Sequence, residues 1–413
     1  MNSKKIFRIT CTLALGLLCL SVSATQHTIN SGSLQSAINS AQAHDTIWVN
    51  KAKYAEELTV DKPLSIFGIG YPTLSGENKF QVVTIDADSV HFRGFEIVDV
   101  PTSYIKDLSG IRIQKSKDFS ITHNILRNTF FGIYVAHSKR GLVAHNICLG
   151  EAVQENSSGN AIHIWYCDSM NVHHNQVDQH RDGIYFEFVK NSIIGCNTST
   201  GNLRYGLHFM FSDHDEYYGN VFTDNGAGVA VMFSRHINMC NNEFSMNWGA
   251  ASYGLLLKEI YDAELKNNTF DNNTKGIHAE GSVRVNFENN TFQSNGWAMY
   301  VSGSCDQNRI VNNDFLSNTF DLAVSSSFSN NEFEHNYWSE YTGYDLDHDG
   351  IGDVPYHPVK VFNYIIHRSP EAIVLLRSLF IDFINFSEKV SPVFIPKDVI
   401  DKSPSMKRIN VSS

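Results

Sequence analysis

The chain has 413 residues, of which 18% are charged, and a formal net charge of -11. No basic stripe balances phosphate, which argues against nucleic acid as a partner. Abundant Gly and Asn with few helix signals point to an all-β chain, and a solenoid can absorb this length because its core grows coil by coil.

Residues 1–24 read as an export signal. Lys4, Lys5 and Arg8 precede an apolar run from Cys11 to Val22, and Val22-Ser23-Ala24 is a small-residue cleavage site. A mature periplasmic chain starting at Thr25 is expected. Cys148, Cys167, Cys196, Cys240 and Cys305 follow the leader, an odd set without CxxC spacing, so at least one thiol has no partner within the chain.

Residues 25–337 are predicted to form a parallel β-helix. Ser33 caps a short amphipathic helix over 33–43, placed to plug the first coil. Short strands follow in DTIWV, ELTV, PLSIFG and VTID. The repeat is plainest where GLHFMFSDHDEYYGNVFTDN is followed by GVAVMFSRHINMCNNEFSMN: Gly206 and Gly228, Met210 and Met232, Asn220 and Asn242 each stand 22 apart. A fixed period in the 20s marks a solenoid whose coils cannot bury their apolar faces alone. Period-two alternation around Leu207 and Phe209 marks a half-buried strand.

The register extends both ways. A Gly column runs Gly110, Gly132, Ala161, Gly183, Gly206, Gly228, Gly254, Gly276, Ala298, Asp321. An Asn column runs Asn124, Asn146, Asn175, Asn197, Asn220, Asn242, Asn268, Asn290, Asn313, Asn331, with insertions near 151–160 and 246–252. Two residues past each Asn the column runs Leu126, Cys148, Val177, Ser199 and then Phe222, Phe244, Phe270, Phe292, Phe315 and Phe333, an internal aromatic stack under an amide ladder. These features predict a right-handed, single-stranded, pectate-lyase-like fold with about 22 residues per coil.

Residues 338–358 leave the repeat. Asp345, Asp347, Asp349 and Asp353, with Gly350, place oxygen ligands as a calcium-type loop does, although Tyr356 stands where the final Glu belongs. A structural Ca2+ and a solvated acidic turn are both open readings. Residues 359–413 hold a helical segment and tail. One helix over 369–390 is expected, with Ser369 as cap and Pro370 in the first turn. Its apolar residues, Leu375, Leu379, Phe380 and Phe383 among them, suit capping on one face and docking to a membrane protein on the other. Arg377, Asp382 and Glu388 make a spanning helix improbable. The tail past Pro392 reads as polar and mobile.

Outward positions of the main strand gather Trp165, Tyr185, Glu187, His208, Met210 and Met232. Thioether and imidazole suit Cu(I), and His236, Met239 and Cys240 lie close in sequence. The plain alternative is that the Met pair packs under a loop. His123, His145 and His174 form a second column, which can bind a metal or simply line a turn, the turn being the favoured reading. A polysaccharide-active enzyme would use Asp182, Glu187, Asp213 or Asp215 as acid or base, but apolar side chains occupy much of that wall.

The runs DGIYFEF, GNLRYGLHFMFSDHD, NGAGVAVMFSR, YGLLLKE, GYDLDHDGIGDVPYHPV and LLRSLF resemble the NosD family. The resemblance implies a non-enzymatic periplasmic role in maturing the copper–sulfide centre of nitrous oxide reductase. It also implies an ABC transporter (permease NosY, ATPase NosF), the copper chaperone NosL and the apo-reductase as partners. On this reading Cu(I) passes transiently over the Met/His wall, Trp165, Tyr185 and Glu187 belong to a docking face, and the C-terminal helix docks on the permease. An exported lyase, hydrolase or epimerase remains the alternative, and a coupler that never touches copper is a third.

Overall fold

The computed structural model describes residues 24–103, 105–325, 330–376, 378–390 and 399–409. The leader, residues 1–24, falls outside the described residues except for Ala24. Three all-parallel sheets of 14, 12 and 13 strands run the length of the molecule, and each coil adds one strand to each. One coil illustrates the path: Tyr205–Met210 in the 12-stranded wall sheet, Glu216–Tyr218 in the 14-stranded side sheet, and Val221–Thr223 in the 13-stranded base sheet.

The sequence period sets the pairing. Tyr205 sits on Ala227, Leu207 on Val229, and Met210 on Met232. Leu207 and Phe209 point inward and are buried, while Met210 faces out and is half-buried. The Gly column is a contact requirement: a Cβ on Gly206 would lie 2.8 Å from the Gly228 carbonyl oxygen and 2.8 Å from Asn225 Nδ2. The strand there runs too close to the next coil for a side chain.

Inside the corner between side and base sheets stands the Asn ladder. Each amide oxygen accepts from the backbone N–H and the Nδ2 of the Asn one coil before; Asn220 Oδ1 is 3.0 Å from both Asn197 groups. Each Nδ2 also donates to a carbonyl of a neighbouring coil, as Asn220 does to Ile194 at 2.9 Å. Buried corner amides are thereby satisfied coil after coil. Beside the ladder the rings of Phe222, Phe244, Phe270, Phe292, Phe315 and Trp338 stack at 4.1–5.5 Å.

Two last members differ from the sequence reading. The rung after Asn313 is Asn336, and the ring after Phe315 is Trp338. Asn331 belongs to another corner, where its Oδ1 accepts from Asn308 N, and Phe333 pairs with Ile310 in the side sheet. The two Asn-x-aromatic runs stand five residues apart, and only the turn geometry separates them. A second buried ladder, Asn202, Asn225, Asn247, Asn273, Asn295 and Asn318, lines the base-to-wall corner.

The ends are closed. Helix α1, Leu34–Ser40, has Ser33 accepting from Ser36 N and buries Leu34 and Ile38 over the first coil. At the far end the helical segment is broken, contrary to the single helix expected over 369–390. Helix α2 spans Val361–Arg368, a 3-10 turn spans Pro370–Leu375, and α3 spans Leu379–Val390. Pro370 explains the first break: it disfavours helical geometry at Ser369, whose φ/ψ is -143°/84° and whose side chain makes no cap bond. Phe362, Ile366 and Ile381 bury against Phe320 on the last wall strand.

The tail also differs from the mobile segment expected. Residues 391–398 fall outside the described residues, but 399–409 return to the solenoid. Buried Asp401 takes the place of the next rung: its Oδ2 accepts from Asn336 N and Nδ2 at 3.1 Å and from Trp338 Nε1 at 3.0 Å. A carboxylate suits a ladder's end because it accepts and has no donor to leave unpaired.

Candidate functional site on the outer wall

The outward residues of the wall sheet form two columns. In the first, Tyr134, His163 and Tyr185 stack face to face at 4.5 and 4.6 Å, and His208 meets Tyr185 edge-on at 5.1 Å. The Arg112 guanidinium lies 4.6 Å over Tyr134. Burial, then the Arg204 and Arg181 charges, push His208 down to about 4, so it is neutral at pH 7.

The second column is Trp165, Glu187, Met210, Met232, Lys258 and Glu280, each in register with the next. Adjacent strands lie about 4.8 Å apart, so the two thioethers project side by side from one face. Met232 also packs with Tyr205 against Ala227, Ala230, Tyr253 and Leu256, so the inserted segment before Tyr253 shelters it.

A third column flanks the Met pair. The residue after each member of the second column turns into the left-handed region: Tyr166, Phe188, Phe211 and Phe233 have φ of 50–54°. Bulky side chains rarely hold that conformation. Their rings stack at 4.5, 5.2 and 5.2 Å, and Phe211 and Phe233 are 40% and 43% exposed. An exposed, coil-spanning aromatic stripe is unusual for a free surface. The signal for this stripe in the sequence is the 22-residue spacing of Phe211 and Phe233.

The candidate copper ligands divide on this geometry. Met210 and Met232 fit a soft ion. His208 fits poorly: its Nδ1 lies 3.4 Å from Arg204 NH2, so it accepts there, while Nε2 is buried without a partner. In that tautomer Nε2 carries the proton and offers no lone pair. Met239 is a correction: it is buried in the core on the opposite face of its strand. His236 is exposed at the wall-to-side corner, stacked on His214 at 4.5 Å. Cys240 faces outward from the side sheet between Tyr218 and Lys266, away from the Met pair.

The carboxylates are otherwise engaged. Both Asp182 oxygens accept from Arg204 at 2.8 and 2.9 Å beneath the wall. Asp215 is buried in a corner with Oδ1 on Ser192 N, and burial pushes it up to about 8. Glu187 stays on the wall, 3.3 Å from the Tyr185 hydroxyl, and Asp213 lies in the wall-to-side corner beside Arg235.

In the acidic loop, Asp345, Asp347 and Asp349 bring one carboxylate oxygen each within 4.8 Å of one another. Asp345 Oδ1 is buried without a partner, while Asp353 turns an oxygen to Leu346 N at 2.7 Å. On the C-terminal helices Leu379, Phe380 and Phe383 are 87%, 58% and 68% exposed, and Leu375 is exposed in the 3-10 turn. No described helix is long and apolar enough to cross a membrane.

Comparison with known proteins agrees with the sequence resemblance. The family model described as "Periplasmic copper-binding protein (NosD)" matches residues 80–204 and 148–343. A protein of Stutzerimonas stutzeri named "Probable ABC transporter binding protein NosD" is 24% identical, covering 86% of this chain and 85% of its own. A Pseudomonas aeruginosa protein of the same name is 26% identical, covering 86% of each. Among solved structures, a GH87 α-1,3-glucanase of Streptomyces thermodiastaticus superposes with TM-score 0.56 at 12% identity, over 78% of this chain and 70% of that one. PfbA, a surface adhesin of Streptococcus pneumoniae, gives 0.55 at 12% over 74% and 87%. A variant of the periplasmic alginate epimerase AlgG gives 0.52 at 13% over 75% and 83%. Likenesses to an enzyme of one kind, an adhesin and an enzyme of another describe a shared fold and no shared chemistry. With its family model matched across most of the solenoid, the chain belongs to the NosD family of periplasmic copper-binding proteins.

Proposed function

We propose that this protein is a periplasmic accessory factor in the maturation of the copper–sulfide centre of nitrous oxide reductase. It accepts Cu(I), presents it to the apo-reductase, and is held on the permease of an ABC transporter whose ATPase drives the cycle. The observation that carries this reading is the Met210–Met232 pair, in register on the wall and bordered by the exposed Phe211–Phe233 stripe. Two thioethers are a soft, weakly held seat for Cu(I). A seat with few protein donors suits a cargo that must leave, because a partner can supply the remaining ligands. The aromatic stripe is where the apo-reductase or the chaperone NosL would dock. The exposed apolar face of α3 suits the permease NosY, to which the ATPase NosF would couple.

The protein acts without turning over a substrate on this reading. A glycan-active alternative is disfavoured because Asp182 is paired with Arg204 and Asp215 is sealed in a corner, so neither presents a free carboxyl to a sugar on the wall.

The test is anaerobic Cu(I) titration of residues 25–413 against a competing chelator, with Met210→Leu/Met232→Leu alongside. That double substitution keeps volume with little packing penalty. Lost Cu(I) affinity in a folded variant supports the relay. No Cu(I) binding by the native chain refutes the Cu(I) relay and leaves a coupler between transporter and reductase.

A further inference from the structure

On the other side of the molecule, histidines gather at the corner between side and base sheets. That corner needs one left-handed residue per coil. Elsewhere it is filled by Gly94, Gly219, Asn241, Asn267, Asn289 and Asn312, residues that take φ near +55° most readily, and singly by Cys196 and His335. In three consecutive coils it is filled instead by His123, His145 and His174, with φ of 54–57°. The rings stack, His123 on His145 at 4.8 Å and His145 on His174 at 4.9 Å.

Backbone tolerance alone does not account for this. His173 sits in an extended strand, Asn171–His173, where no left-handed residue is required, and its ring turns into the same cluster. It meets His145 edge-on at 5.5 Å and His174 at 5.1 Å. Its Nδ1 lies 2.9 Å from His174 Nδ1. One ligating nitrogen from each of His145, His173 and His174 falls within 4.8 Å of the other two. Bonds of about 2.0–2.1 Å from one ion to two imidazoles enclose an N···N span of about 2.9–3.4 Å at angles of 90–109°. The His173–His174 pair has that span through a ring-to-ring hydrogen bond whose proton a metal would replace, and His145 lies within 4.8 Å of both.

We propose that His145, His173 and His174 form a copper site separate from the Met210–Met232 pair, with His123 stacked behind it. Three imidazoles and an open outer face suit copper in either oxidation state. His145 and His174 are exposed and His173 half-buried, so the ion is reached from solvent without opening the fold. Cys196, a free and half-buried thiol, holds the same corner one coil on from His174, which continues a line of soft donors along the solenoid. The choice of copper rests on the copper-handling reading above, while the existence of a metal site rests on the imidazole geometry alone.

The test uses residues 25–413 titrated with Cu(II) and, separately, with Zn(II), with electron paramagnetic resonance reporting imidazole nitrogen coupling to Cu(II). The variant is His145→Asn/His174→Asn, because Asn keeps the left-handed corner and the fold. His173→Gln is a third, milder change in a strand. All measurements carry His27→Ala, because an amino-terminal Thr25-Gln26-His27 itself chelates Cu(II) through nitrogen; on that background the chain with the histidine cluster intact is expected to bind one Cu(II) with nitrogen coupling. Partners outside the ligand set alone alter metal affinity about 10–100-fold, so loss of two ligands should weaken binding by more than about 100-fold. Met210→Leu/Met232→Leu should leave this signal unchanged, which separates failure of this site from failure of the Cu(I) wall. An unchanged Cu(II) spectrum and affinity in His145→Asn/His174→Asn overturns the site. Zn(II) binding at these histidines without copper binding overturns the copper assignment.

Discussion

Removing one rung of the Asn ladder measures how much of this fold the ladder carries. Asn220 has no solvent exposure, and its side chain makes four hydrogen bonds. In Asn220→Ala the Asn197 backbone N–H loses this acceptor and is left buried, a penalty of about 1–3 kcal/mol. Asn197 Nδ2 keeps the Val172 carbonyl and Asn242 Oδ1 keeps the Asn220 backbone N–H, so those two groups are weakened and not orphaned. The Ile194 carbonyl loses one donor. Adding these three smaller losses at about 0.5 kcal/mol each, the substitution should destabilise by about 2.5–4.5 kcal/mol. Asn238→Ala, at an exposed strand position, should stay within about 0.5 kcal/mol. Urea denaturation followed by far-UV circular dichroism reads the difference, with midpoints compared at unchanged slope. If Asn220→Ala loses less than about 1 kcal/mol, no better than Asn238→Ala, the ladder is a packing pattern whose hydrogen bonds carry little of the fold's stability.

Other outcomes follow from the same structure. Asp401→Ala removes the acceptor that closes the ladder on Asn336 and Trp338; partial proteolysis should then cut the tail first, whereas a protected tail would mean its other contacts suffice. Asp215, raised by burial from the ordinary carboxylate range to about 8, binds its proton more tightly folded than unfolded. Its contribution is therefore present in full below about pH 4 and is lost as pH rises towards 8. Asp215→Asn, which keeps the acceptor for Ser192 N, should flatten melting temperature across that window, and an unaltered pH profile would remove Asp215 as its cause. Leu379→Ser/Phe383→Ser should leave the melting temperature unchanged and abolish co-purification with the permease; retained association would move the dock elsewhere. If the Asp345–Asp347–Asp349 cluster holds Ca2+, millimolar Ca2+ should raise the melting temperature by mass action, and Asp345→Asn should erase that rise.

The 22-residue period determined most of this molecule without a structure. A side chain's face in a strand follows from its parity, and its neighbour in the next coil follows from the spacing. The Gly column, the pairing of Met210 with Met232, and the ladder from Asn124 to Asn313 were therefore legible in the letters. The last rung was not. Asn331 and Asn336 both precede an aromatic by two, and the choice between them depends on which corner the chain turns, a property of backbone dihedrals set by the neighbouring coil. Met239 follows a related rule: nearness in sequence to His236 and Cys240 says nothing once strand parity sends its side chain into the core. Coil length, register and the chemistry on each column are all written in the residue spacing. Which columns meet at a corner is a property of the folded coils: there His173 turns towards His145 and His174, Phe211 stacks on Phe233, and Asp401 comes back to Asn336 across 65 residues. Those contacts depend on turns and on chain return, where no period exists to be read.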